Sequence, residues 1–189
     1  MRVFKKHICI LIAFSLFIIL FLGCRKKDDN PSQTAEKLAH VYIAGTVRSV
    51  NGKDVATVWE NGTPHTLSTG SGYSSANAVT MLGNDIVVAG KGSQENGLGI
   101  ATIWKNNEPQ HIGDPTSYGS EVLSIFAEGN NLYTGGYEQP FNQWTGIAKI
   151  WKNNEILHEL SDGNKMAQVS AIFFENSTIY SARAEYYLE

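Results

Sequence analysis

Short apolar runs, rich in β-branched residues and separated by Asn, Gly and Ser, return in phase along this chain. Ala101-Thr102-Ile103-Trp104-Lys105-Asn106-Asn107 has an upstream counterpart in Ala56-Thr57-Val58-Trp59-Glu60-Asn61-Gly62. A second counterpart lies downstream, in Ala148-Lys149-Ile150-Trp151-Lys152-Asn153-Asn154. The tryptophans are 45 and then 47 residues apart. A period of that size means one supersecondary unit per repeat.

One repeat, residues 85–130, predicts four strands. The first is Asp85-Ile86-Val87-Val88-Ala89-Gly90, matched by Val41–Gly45 and Leu132–Gly136. The second is Gly99–Lys105, followed by a tight turn at Asn106-Asn107. Asn-Gly and Asn-Asn accept the positive φ of a type I′ hairpin turn, so Asn61-Gly62 and Asn153-Asn154 predict the same turn. The third strand is Pro109–Ile112 and the fourth Glu121–Ala127. Asn84, Asn130 and Asn176 recur 46 residues apart and predict the turn that ends each unit.

Four antiparallel strands per unit of this length predict an all-β protein of β-propeller blades. The strands are apolar on both faces, as in blades sandwiched between neighbours. The first strand ends in a small-residue doublet, which places it innermost, near an axis. On this reading Trp59, Trp104 and Trp151 are structural and pack between blades. The blades are 40–84, 85–130 and 131–176, with a partial unit at 177–189: about three and a quarter four-stranded repeats of 45–47 residues. A ring of six to eight blades needs on the order of 270 to 370 residues. The expectation is an incomplete ring: a truncated product, a ring completed by other chains, or an open arc.

The N-terminus carries an address. Arg2, Lys5, Lys6 and His7 precede an apolar run from Ile8 to Leu22, interrupted by Ser15, and then come Gly23 and Cys24. This order is that of a secretory signal. Phe21-Leu22-Gly23-Cys24 resembles the bacterial lipobox, although the first two places depart from its commonest form. The resemblance implies cleavage after a signal peptide, 1–23, and a lipid on Cys24. The alternative is an uncleaved signal anchor, though fifteen apolar residues are short for a hydrocarbon core of about 30 Å. Lys27-Asp28-Asp29 resembles the export signal of Bacteroidota-type surface lipoproteins and equally fits a solvated spacer. Residues 24–39 form the lipidated cysteine and a flexible tether. The implied location is the cell envelope, anchored by lipid to the bacterial outer membrane, with export to the surface as one outcome.

The repeats resemble Kelch-like propellers, in which a small-residue doublet follows an apolar strand and a tryptophan comes later. Only Gly135-Gly136 has the Kelch form; Ala44-Gly45 and Ala89-Gly90 diverge from it. They are similar also to repeats of uncharacterised bacterial lipoproteins, which imply architecture and no activity.

Charge and composition exclude more than they assign. The formal net charge is −3, and loss of residues 1–23 leaves 12 basic against 18 acidic side chains. A mildly acidic module without a basic stripe argues against nucleic-acid binding. No cysteine follows Cys24, so the repeats hold no disulfide and no thiolate chemistry. His65, His111 and His158 recur once per repeat near the third strand, where successive units fan apart, so they do not predict a metal site. Asp162-Gly163-Asn164 lacks the later acidic ligands of a calcium loop and predicts a turn. No cofactor is implied.

Function is expected on the rim of longer loops, 48–54, 91–97 and 137–145, with further loops through Tyr73 and Tyr118. Tyr137, Gln139, Phe141 and Trp144, together with Tyr73 and Tyr118, are the candidate ligand-binding residues. Aromatic faces beside amides suit a glycan, a peptide or a protein partner. Asp54, Glu95 and Glu138 lie on the same rim, so a glycan-active enzyme on the same scaffold is the alternative. A non-functional fragment of a longer propeller is the third reading.

Overall fold

The computed structural model describes residues 39–68, 72–141 and 143–186. The signal segment 1–23, Cys24 and nearly all of the tether lie outside the described residues, as does Asn142. Apart from Ala39, what is described belongs to one unit, His40–Glu189.

Thirteen strands are present among the described residues, and no helix. They form four antiparallel sheets in chain order. The first sheet holds β1 (Tyr42–Arg48), β2 (Asp54–Glu60) and β3 (Thr63–Thr66). The second is β4 (Ser75–Leu82), β5 (Asp85–Ser93), β6 (Gly99–Lys105) and β7 (Glu108–His111). The third is β8 (Gly119–Glu128), β9 (Asn131–Gln139), β10 (Ile147–Lys152) and β11 (Glu155–Glu159). The fourth pairs β12 (Met166–Glu175) with β13 (Thr178–Tyr186). Within each sheet every strand bonds to its neighbour in sequence, and no sheet closes on itself among the described residues.

The turns follow from residues that tolerate positive φ. Asn61, Asn106 and Asn153 have φ of 50°, 49° and 49°, and Gly62, Asn107 and Asn154 follow at 85°, 72° and 74°. Two successive positive values define the expected type I′ turn. Each first asparagine also extends the ladder on its other side. Its Oδ1 accepts from the backbone N–H of Val41, Ile86 or Leu132, and its own N–H donates to the carbonyl of the same residue. One residue type thus closes a hairpin and binds the next strand over.

Three expectations are corrected. The sheets are out of phase with the repeats. The fourth strand of each repeat pairs with the first strand of the next, because Gly83-Asn84 and Gly129-Asn130 are hairpin turns inside a sheet and not boundaries between sheets. Asn176 aligns with Gly83 and Gly129, not with Asn84 and Asn130, as the pairings Leu82↔Asp85, Glu128↔Asn131 and Glu175↔Thr178 establish. The strand with the small doublet lies second in its sheet, not at the edge. Its small residues have another cause. β4, β8 and β12 each carry a bulge, at Asn77, Leu123 and Ser170, which pushes backbone over the neighbouring strand. A Cβ on Gly90 would lie 2.0 Å from the Ser75 carbonyl oxygen, and one on Gly136 would lie 2.0 Å from that of Glu121. Arg183 occupies the corresponding place opposite β12.

Successive sheets pack face to face. β4 lies against β1 and β2; β8 lies against β4, β5 and β6; β12 lies against β8, β9 and β10. Ala56, Val58 and Leu67 meet Ala76, Val88 and Trp104 between the first two sheets. Ala89 and Ala101 meet Val122 between the second and third, and Val87 and Ile103 meet Leu132. Tyr133, Ala148 and Ile150 meet Ala167, Val169 and Ile172 between the third and fourth. Each large side chain so buried contributes roughly 1.5–3 kcal/mol. This explains why β6 is apolar on both faces: Ile100 to Trp104 are all buried. Trp104 packs across a sheet interface and Trp151 is fully buried, while Trp59 is half-buried with its ring over Gly45.

Hydrogen bonds pin the same interfaces. Ala56 N–H donates to Ser74 Oγ at 2.9 Å, and Ala101 N–H donates to Ser120 Oγ at 2.9 Å. Both serines are buried and stand just before or at the start of the next sheet's first strand. The third equivalent is Ala167, and there Ser161 supplies the oxygen to Ala148 N–H at 3.0 Å. The outermost strands β3, β7 and β11 are exposed throughout. Pro64 and Pro109 sit on two of them, where a missing N–H discourages edge-to-edge pairing.

Candidate binding site

Antiparallel order puts the type I′ and hairpin turns at one end of the strands and the longer connections at the other. At that second end, the β7–β8 and β9–β10 connections converge. The Asp114 carboxylate accepts from Thr116 N–H at 2.8 Å and Thr116 Oγ at 2.7 Å, and Ser117 Oγ donates to the Asp114 carbonyl at 2.7 Å. The Thr116 hydroxyl and then its amide hold the Asp114 carboxyl below its ordinary value. Tyr118 N–H donates to the Gln139 carbonyl at 2.9 Å. Gln139 Nε2 donates to the Gln143 carbonyl at 2.7 Å, and Gln143 N–H donates to the Pro140 carbonyl at 3.2 Å. Gln139 therefore ties together the two connections that carry the aromatic rings.

The rings of Tyr118 and Trp144 stand 6.0 Å apart, centroid to centroid, and are tilted by 58°. With Phe141 and Gln143 they line a recess of about 220 Å³. Trp144 is 77% exposed and Phe141 62% exposed, so these rings are presented to solvent and not packed onto their own sheet. None of the four lining side chains is charged. The recess suits a neutral ligand that lays an apolar face on a ring and bonds to an amide.

Beneath the recess lies a feature absent from the expected site. Thr57 and Thr102 hold the centre of β2 and β6; the same place on β10 is Lys149, buried to 4% exposure. Its ammonium donates to Glu138 Oε1 and pairs with Glu159 at 3.1 Å. Glu138 is itself buried, and its Oε2 accepts from Asp114 N–H at 2.7 Å. Burial pulls the ammonium's pKa down, but the two carboxylates outweigh it and hold Lys149 above the ordinary lysine value. The register makes three diagonal rows equivalent, Val47–Thr57–Thr66, Gly92–Thr102–His111 and Glu138–Lys149–Glu159, in each of which the first residue stands two places beyond the second's direct partner, Gly45, Gly90 or Gly136. The signal was the lysine where the other two repeats carry threonine; Glu138, expected as a carboxylate of the loop rim, is a residue of β9.

No family model, no curated protein and no solved structure matches the chain. The remaining candidates must be judged by where the chain folds them.

Tyr137 does not join the recess. β9 runs through Gln139, so Tyr137 is a strand residue, and its hydroxyl donates to Glu121 Oε2 at 3.3 Å. Burial, with the nearby Glu121, pushes its hydroxyl up to about 12. Glu121 Oε1 accepts from Ser75 Oγ at 2.9 Å and Asn77 Nδ2 at 2.8 Å, and Lys91 Nζ lies 3.5 Å from Oε2. This network fastens β8 to the bulge of β4. Tyr73 lines a separate recess with Arg48, Asp54 and Lys91. The candidate carboxylates do not converge: Asp54 pairs with Arg48 at 3.6 Å, Glu95 sits in the β5–β6 turn, and Glu138 is held by Lys149. His65, His111 and His158 lie on β3, β7 and β11 of three different sheets. No group of three or more potential metal ligands occurs among the described residues. Asp162 accepts from Asn164 N–H at 3.0 Å and Asn164 Nδ2 at 2.7 Å, bonds made within the turn itself.

Proposed function

We propose that the chain is a membrane-tethered recognition module of propeller-type blades that holds a neutral glycan or a peptide segment at the Tyr118–Phe141–Trp144 recess. The observation that carries this reading is the exposed ring pair: Tyr118 and Trp144 at 6.0 Å, held by Gln139 and left uncovered. Two open aromatic faces with an amide between them are what a sugar ring or a peptide turn requires. Succession of four stacked antiparallel sheets at a 45–47 residue period supports the propeller-type reading. The tether rests on Gly23-Cys24 after the apolar run, the pattern resembling that of Bacteroidota-type surface lipoproteins with Kelch-like repeats, and locates the module at the outer membrane.

A glycan and peptide array probed with the wild-type chain and with Trp144→Ala tests the recess. Selective binding that the variant loses supports it; binding that the variant keeps rejects the assignment. Labelling cells with a radioactive palmitate tests the tether separately: Cys24→Ala should abolish incorporation, and label on that variant would reject the lipid site.

A further inference from the structure

The three equivalent rows differ in what fills them. On the third sheet the row Glu138–Lys149–Glu159 is an ion-paired cluster whose Glu138 accepts from Asp114 N–H in the β7–β8 connection. On the second sheet the same row is Gly92–Thr102–His111, and the space beside it is left open. Between it and the first sheet runs a cleft of about 540 Å³. Leu67, Ser68, Ser93, Trp104, Asn107 and Pro109 complete most of its wall.

The chemistry of the wall selects a ligand class. Among the described residues that line it, none is acidic, lysine or arginine. Thr102 Oγ gives its one hydrogen to the Ile100 carbonyl at 2.8 Å, as Thr57 does to Val55 at 3.1 Å on the first sheet. The same oxygen accepts from Gly92 N–H at 3.1 Å. The His111 Nδ1 at 2.9 Å must then be the donor to Thr102 Oγ. The neutral imidazole is left with Nε2 as an acceptor, and it makes no hydrogen bond among the described residues. A glycine at 92 keeps the floor clear: a Cβ there would meet Thr102 Oγ at 2.5 Å and His111 Cε1 at 3.2 Å. The cleft therefore offers an acceptor, hydroxyls of both kinds of capacity, an amide, and apolar surface from Leu67, Trp104 and Pro109.

We infer that this inter-sheet cleft is a second binding site, distinct from the aromatic recess, for a small neutral polyhydroxylated molecule of sugar or polyol type. One ligand hydroxyl donates to His111 Nε2. Ser68, Ser93 and Asn107 serve the others, and the ligand's apolar face lies on Leu67 and Pro109. A charged ligand is disfavoured, because no opposite charge stands in the wall to offset its desolvation.

The test is an amide-shift titration of the full chain in micelles of a detergent without a sugar headgroup. The probes are methyl β-glucoside and myo-inositol, with butyrate and butylammonium as charged comparators. Saturable shifts at Gly92, Ser93 and His111 with a neutral probe are expected. His111→Ala should weaken that binding about tenfold or more, a change of about 1.4 kcal/mol. Gly92→Glu with Thr102→Lys, which transplants the third sheet's pair into the cleft, should abolish it. If that double variant does not fold, His111→Ala decides. No saturable shift in wild type overturns the inference, as do preferential binding of a charged probe or affinity unchanged in the variants. Shifts confined to Tyr118 and Trp144 would also overturn it while leaving the aromatic recess standing.

Discussion

Lys149→Thr converts the third sheet's row to the residue that both other repeats carry. On its own it should be costly. Lys149 is 4% exposed, and Glu138, at 7%, would be left buried without its cation. Breaking a buried pair by removing one partner costs about 3–5 kcal/mol, far more than the pair itself contributes. The Asp114 N–H bond to Glu138 offsets part of the cost, so the lower end, about 3 kcal/mol, is expected. For a domain of this size each kcal/mol moves Tm by roughly 2–4 °C, giving a fall of roughly 6–12 °C. Adding Glu138→Val restores the first sheet's Val47–Thr57 arrangement and should recover most of the loss, because both charges are then gone. The assay is thermal melting of wild type, the two single variants and the double variant at neutral pH. A neutral or stabilising Lys149→Thr, or a double variant no better than the single, would refute the reasoning.

Other expectations follow from the same geometry. Ser120→Ala leaves the buried Ala101 N–H unpaired and should cost about 1–3 kcal/mol by denaturant melting, whereas Ser68→Ala, at a half-buried site, should cost less. Gly90→Ala places a methyl against the Ser75 carbonyl and should destabilise by about 1–3 kcal/mol or more; a neutral result would mean the β4 bulge relaxes freely. Burial pushes the Tyr137 hydroxyl up to about 12 in the folded chain, above its ordinary value of 10.0. The folded state then binds more protons than the unfolded one between those values, so stability should fall as pH rises through that window. Tyr137→Phe should flatten that fall in an alkaline melting series. Asp114 is shifted the other way, so its contribution is present above the ordinary value of 3.8 and is lost as pH falls through its lowered folded value. Asp114→Asn should remove that acid step and loosen the Tyr118 connection, read as a change in Trp144 fluorescence.

Much of the local structure was legible. Asn-Gly and Asn-Asn after a tryptophan named the turn type because positive φ at two successive residues has few residue solutions. Trp104 packs between sheets because a large apolar side chain on a strand polar on neither face must meet another layer, whereas Trp59 is half-buried with its ring over Gly45 of its own sheet. The phase of the sheets was not legible. Gly-Asn between two apolar runs reads as a boundary or as a hairpin with equal ease, and only strand pairing decides. Tyr137 was misplaced for a related reason: β9 continues past the Gly135-Gly136 doublet, and no residue from Tyr137 to Gln139 forces a break. Phe141 and Trp144, aromatic residues in a Pro-, Asn- and Gln-rich connection without the periodicity of a core, share one recess with Tyr118 of the β7–β8 connection.

The pairing of each strand with its sequence neighbour has a kinetic consequence. Ladder contacts that close over a few residues form early and cheaply in loop entropy, so each sheet is a local event. Only the stacking of one sheet on the next joins residues about a repeat apart. Folding of such a chain can begin at either of the complete central sheets and spread outward, with stability set by nearest-neighbour interfaces. Amide exchange should record that order as a gradient: slowest on β6 and β10, where both faces are covered, and fastest on β1 and β13, which lie at the two ends of the described stack.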